Sequence, residues 1–209
     1  KKSIWPEEES EPRKITAALS HPDHKTFVAE TDEQLIGFVD GFRTLSARGN
    51  LRWEVDLLGV APAWRGHGLG GHLTRACLQA GQRHGAALGR ALIQVNNVAS
   101  QITFRQLGFI SQTMVYRLYI TRTPIAEHFP SPHAHLVSVV TFNYCGVWLE
   151  ESYSPTAFLA ARTALSNPVN ELVGVLIPED QPESIQFAEK QGFSFVDLYQ
   201  WWQIELKTS

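Results

Sequence analysis

Apolar residues along this chain recur at two different periods, and each change of period marks an element. The apolar-centred runs 26–30 and 34–39 flank the polar break Thr31-Asp32-Glu33, which predicts a β-hairpin. Residues 43–50 are polar and contain Gly49, so a loop is expected there. The apolar run Val55, Leu57, Leu58, Val60 predicts a strand over 51–60. Leu69, Leu73, Ala76, Cys77 and Ala80 then fall at helical spacing, predicting a helix that runs to about His84 and stops at Gly85. A buried-type strand over 91–95, a short helix over 99–107 closed by Gly108, and an alternating strand over 113–121 complete the first half. Residues 1–14, charged and broken by Pro6 and Pro12, read as a frayed end or the edge of a short helix.

A segment with three prolines, 123–135, reads as a linker. Beyond it the pattern resumes: a strand over 136–148, a helix over 155–165, a strand over 172–177, a helix over 182–191 and a strand over 195–204. Gly192-Phe193 repeats Gly108-Phe109 at an offset of 84 residues, with the same kinds of element before each pair. That predicts a weak internal repeat whose second copy is only a half-domain. The expected partition is a domain over 1–122, the linker, and a smaller lobe over 136–209 rich in aromatics (Trp148, Tyr199, Trp201, Trp202). The fold class is α/β (α+β), a mixed sheet flanked by helices.

Between the strand over 51–60 and its helix stands Arg65-Gly66-His67-Gly68-Leu69-Gly70-Gly71. Four glycines in six residues leave little side chain at the helix entrance, so backbone N–H groups can close on an anion with the positive helix end behind them. Charge supports this. The chain carries a net −3, which argues against general nucleic-acid binding, yet residues 57–126 hold seven arginines and no lysine, aspartate or glutamate. Where the first copy has this loop, the second has Glu150-Glu151-Ser152-Tyr153-Ser154-Pro155, acidic and without glycine. A phosphate could not be held there in the same way.

The loop matches G-x-G-x-x-G, but a dinucleotide site needs an acidic residue about 20 positions on for the ribose. No acid occurs before Glu127, and no Gly-Lys-Ser/Thr follows to make a Walker loop. Read from Arg65, the residues are Arg-x-x-Gly-x-Gly. With the strand Glu54 to Val60 and the segment Asn97 to Phe109, they resemble the GNAT superfamily of acetyl-CoA-dependent N-acetyltransferases, over about residues 26–119. The resemblance implies a GNAT-type, mostly antiparallel mixed sheet and a smaller GNAT-like lobe. It also implies a strand that parts from its neighbour after Val60, and a binding site for acetyl-CoA. Arg65, Gly66, His67, Gly68, Leu69, Gly70 and Gly71 would hold its pyrophosphate. Leu58 and Val60 would pair with the pantetheine arm, and Asn97 and Phe104 would face the cofactor side.

Transfer of an acetyl group to a primary amine needs a neutral amine, a polarised thioester and a protonated leaving thiolate. The resemblance makes Glu54 the candidate base, and Asp56 shares its strand face by the two-residue period; binding of a cationic substrate or pairing with Arg48 and Arg52 is the alternative role for both. At Phe104 many relatives carry a tyrosine that protonates the thiolate. Here Tyr116 or solvent would take that role, or the chain is a weak or inactive CoA-binding regulatory protein. The expected acceptor is a small-molecule or peptide amine, with no metal, nucleic acid or membrane partner and with a homodimer through the second half. His133 and His135 lack metal-ligand spacing. Two cysteines, a charged first segment and the lack of a long apolar run suggest a cytoplasmic setting.

Overall fold

A computed structural model of the chain describes residues 11–32, 34–125, 129 and 134–206. Two compact units emerge: Lys1–Gln112 together with Trp201–Ser209, and Thr113–Gln200. The expected partition had put 113–122 in the first domain and 201–209 in the second, whereas the contacts group each with the other unit.

In the first unit, α1 (Pro12–Ser20) leads into β1 (His24–Thr31) and β2 (Gln34–Leu45), an antiparallel hairpin, and β3 (Leu51–Val60) adds antiparallel to β2. A 3₁₀ turn (Pro62–Trp64) precedes α2 (Leu69–Arg83), which crosses to β4 (Leu88–Gln94), parallel to β3. Then come α3 (Val98–Gln106) and the short β5 (Ile110–Ser111). In the second unit, β6 (Tyr116–Thr121) is followed by β7 (His135–Val140), β8 (Cys145–Glu150), α4 (Pro155–Thr163), β9 (Leu172–Pro178), α5 (Pro182–Lys190) and β10 (Ser194–Glu205). The first unit orders its strands β1-β2-β3-β4 and then the end of β10, which also pairs β5; the second orders the start of β10, then β6-β9-β8-β7. In each unit the strand pairing is mixed, mostly antiparallel, and flanked by helices, the expected class.

Several expected boundaries move. The loop expected over 43–50 begins only after Leu45, because Thr44 and Leu45 still pair with Arg52 and Leu51. The strand expected over 136–148 is the β7–β8 hairpin. Its turn carries no glycine or proline; the Thr141 hydroxyl accepts from the Asn143 and Tyr144 amides instead. Within 113–121 the strand starts at Tyr116. Most of the expected linker, His133 and residues 1–10 lie outside the described residues.

The repeat is visible in detail. The run β2-β3-α2-β4-α3 is matched by β7-β8-α4-β9-α5, with the same antiparallel and then parallel pairing. Each copy ends its second helix on a left-handed glycine, Gly108 (φ 91°) or Gly192 (φ 77°). The next phenylalanine then bonds back to equivalent carbonyls, Phe109 to Phe104 at 3.1 Å and Phe193 to Ala188 at 3.0 Å. In the first unit the core forms around Trp53, which lies against Cys77 and the bare backbone of Gly81, with Trp202 in the same cluster. Trp202 thus packs in the first unit, although expected in the smaller lobe.

Candidate active site

The Gly-rich segment forms an anion-ready helix start. Gly66 (φ 81°) and Gly68 (φ 75°) are left-handed, a conformation in which glycine is unstrained. Gly68 is the N-cap of α2, where it offers no side chain to the first amides of the helix, and no acidic residue stands in the first turn. The open N–H groups and the helix dipole therefore point the same way. Around Gly66, Gly68 and Gly71 no atom lies within 4 Å of where a Cβ would be, so the cradle has space in front of it. Gly70 faces Leu58, Val60 and Thr103 at 3.7–3.9 Å, which seats the helix start on β3. The Arg65 Nε donates to the Val60 carbonyl at 3.1 Å, and Arg65 and His67 are both exposed. Leu69 is half-buried against the core.

Beside the loop, β3 and β4 part. Their parallel pairing covers Arg52↔Leu88, Trp53↔Gly89 and Glu54↔Arg90 and ends there. The expected parting after Val60 therefore begins six residues earlier. The physical reason lies one rung on, where the register with β2 steps from Gly41↔Val55 to Asp40↔Leu57, leaving Asp56 as the extra residue of a β-bulge. The Ala61 amide bonds to the Ile36 carbonyl, so by alternation Leu57 and Gly59 turn their polar groups to β2. Leu58 and Val60 turn theirs to the opening.

The two candidate carboxylates differ sharply. Glu54 is 7% exposed, and both its oxygens lie 2.8 Å from the Arg90 Nε. Thr44 donates its hydroxyl to the same carboxylate, and the Arg52 Nε stands 3.6 Å away while donating to the Thr44 hydroxyl at 3.1 Å. Trp201 covers the Arg90 guanidinium at 4.0 Å. Asp56, at the bulge, is exposed. The next strand adds a buried set that sequence reasoning missed. Asp40, 0% exposed, lies 3.1 Å from the His24 Nδ1 and accepts from the Thr26 hydroxyl at 2.6 Å. Only the β1–β2 register could have revealed it, since Asp40 is 16 residues from His24 and 14 from Thr26 in the chain.

Of the remaining sequence candidates, Asn97 caps α3 by accepting from the Ser100 amide at 3.1 Å. Phe104 is buried, edge-on to Phe109 with ring centroids 4.8 Å apart. Tyr116 begins β6 in the second unit, opposite Pro178 and Tyr199. In that unit the counterpart of the Gly loop is closed to anions. Ser154 caps α4 through the Ala157 amide at 3.2 Å, and Pro155 has no N–H to offer. Burial above all, and then Tyr116, Glu150 and Glu151, push the Tyr153 hydroxyl up from its ordinary range.

Residues 1–109 match the family model described as the acetyltransferase (GNAT) family. The chain is 27% identical over 108 residues to N-alpha-acetyltransferase 30 of Schizosaccharomyces pombe, covering 52% of this chain and 72% of that one. It is 31% identical to nourseothricin acetyltransferase over 44% of this chain, spanning about half (54%) of that structure, with a TM-score of 0.40. Over 99% of its length it shares the fold of a tandem GNAT protein from the clavulanic acid biosynthesis pathway, covering 93% of that chain at 13% identity and a TM-score of 0.57.

Proposed function

This chain belongs to the acetyltransferase (GNAT) family, and we propose that it transfers the acetyl group of acetyl-CoA to a primary amine through one site in its first unit. The observation that carries the reading is the uncapped, glycine-lined start of α2 beside the opening between β3 and β4. The loop from Arg65 to Gly71 would take the pyrophosphate, and the outward polar groups of Leu58 and Val60 would pair with the pantetheine arm. The amine nitrogen attacks the thioester carbonyl, the C–N bond forms, and the C–S bond breaks. The amine's proton passes to a carboxylate on β3, where Glu54 and Asp56 are the candidates, and the thiolate takes its proton from solvent, since Tyr116 belongs to the second unit. The exposed Asp56 is the better placed to receive a proton. The α-amino group of a peptide heads the acceptor classes to try, because the curated relative is an N-alpha-acetyltransferase.

Phe104 favours a second reading, a CoA-binding protein with little or no turnover, since a buried phenyl ring has no proton to give. Titration with acetyl-CoA, joined to thiol release over a panel of peptide α-amines, lysine peptides and small diamines, separates the two. Thiol release with any amine supports the transferase. Binding without release supports the second reading, and absence of binding overturns both.

A further inference from the structure

We propose that Glu54 and Arg90 are a positioning pair that holds the acyl-CoA opening at its closed end, and that Glu54 is not the proton acceptor; this rests on the CoA reading above. The pair forms the last rung of the parallel β3–β4 ladder. Two residues later the bulge at Asp56 turns β3 away. A clasp on the final rung and a bulge just past it decide where the two strands separate. They thereby set where the edge at Leu58 and Val60 lies relative to β4. The clasp is anchored on every side, by Thr44, by Arg52 through that hydroxyl, and by Trp201 over the guanidinium.

The second copy supplies an internal comparison. At the 84-residue offset, Arg90 corresponds to Gly174, and its rung partner in β8 is Trp148. Gly174 lies under that indole, a Cβ there being 3.6–3.7 Å from its ring atoms. In that copy the parallel pairing runs on to Leu149↔Val175, and β8 meets β7 with no bulge. The copy without an anion loop thus also lacks the ion pair and the bulge. An ion pair buried for stability alone gives no reason for this, since replacing such a pair by apolar packing is often neutral or stabilising. A pair retained to shape the opening does.

Glutamine separates the two roles of Glu54, because its amide oxygen still accepts from the Arg90 Nε but cannot take a proton from an amine. If Glu54 positions, Glu54→Gln, which strips the buried Arg90 of its counter-charge, weakens CoA binding about threefold or more and raises KM for acetyl-CoA, while kcat keeps the wild-type pH profile. If Glu54 is the base, kcat falls about a hundredfold or more while CoA affinity holds, in line with the usual weight of general bases. The apolar test is the double variant Glu54→Leu with Arg90→Leu, which leaves neither charge of the pair buried alone. The clasp then predicts CoA bound about tenfold more weakly by calorimetry, KM for acetyl-CoA raised, and KM for the amine unchanged. A double variant that binds CoA as wild type does, or a hundredfold kcat loss in Glu54→Gln, overturns the clasp alone. Wild-type protein that binds no CoA overturns the functional reading and the clasp with it.

Discussion

Gly68 carries two demands at once, a left-handed backbone (φ 75°) and an empty space before the first amides of α2. Alanine meets the second demand but not the first, and left-handed backbone costs a side-chain-bearing residue about 1–2 kcal/mol. Glutamate violates both and brings a negative charge to the anion site. Gly68→Glu is therefore expected to abolish CoA binding, measured by calorimetry, with a far-UV spectrum like that of wild type. CoA affinity equal to wild type would mean that the phosphate site lies elsewhere. Cys77 shows the opposite extreme, a group removed from solvent. Burial pushes its thiol up to about 12, the Trp53 N–H offsets part of the rise, and the neighbouring Asp40 charge adds a lesser increase. A folded-state value above the unfolded one means that the native form holds the proton more tightly. The associated stability is whole below about pH 9 and is lost as pH rises towards 12. Denaturant midpoints are expected to fall over that window, and native protein at pH 8 should leave Cys77 unreacted with a thiol reagent.

Elements that depend on local pattern were legible in the sequence, and those that depend on pairing were not. The helix expected from Leu69 to about His84 is α2, because five apolar positions at helical spacing and Gly85 after them are local signals. The β7–β8 hairpin looks like one strand in the sequence because its turn is made by Thr141 rather than by glycine or proline. The loop at 66–71 was legible from composition alone. The clasp was not, since Glu54 and Arg90 are 36 residues apart and meet only through a parallel register. Helix-on-sheet spacing is the same kind of property. A Cβ at Gly81 would fall 2.5–2.9 Å from Trp53 atoms, in a helix that must lie flat on β3. Alanine gains about 1 kcal/mol of helix propensity there. Against a wholly buried indole the overpacking, about 1–3 kcal/mol, outweighs it. Gly81→Ala is expected to lower the denaturant midpoint, whereas the same change at the open Gly71 should raise it or leave it unchanged.

Across the whole molecule, two copies of one arrangement have taken different chemistry at the same topological position. In both, an antiparallel hairpin leads through a loop into a helix and then into a parallel strand. The first copy leaves its helix start without a side-chain cap, whereas the second fills it with Ser154 and Pro155 and approaches it through Glu150 and Glu151. An anion at α4 would have to displace a made hydrogen bond and stand against two carboxylates; an anion at α2 meets neither obstacle. Calorimetric titration of the whole chain with CoA is accordingly expected to saturate at one molecule per chain, and Gly68→Glu should reduce that to none. Ser154→Ala is expected to cost about 1 kcal/mol of stability as the loss of an ordinary cap, without changing the stoichiometry. Binding near two per chain, or a remaining site in Gly68→Glu, would show that the acidic copy holds CoA by a geometry other than the helix start.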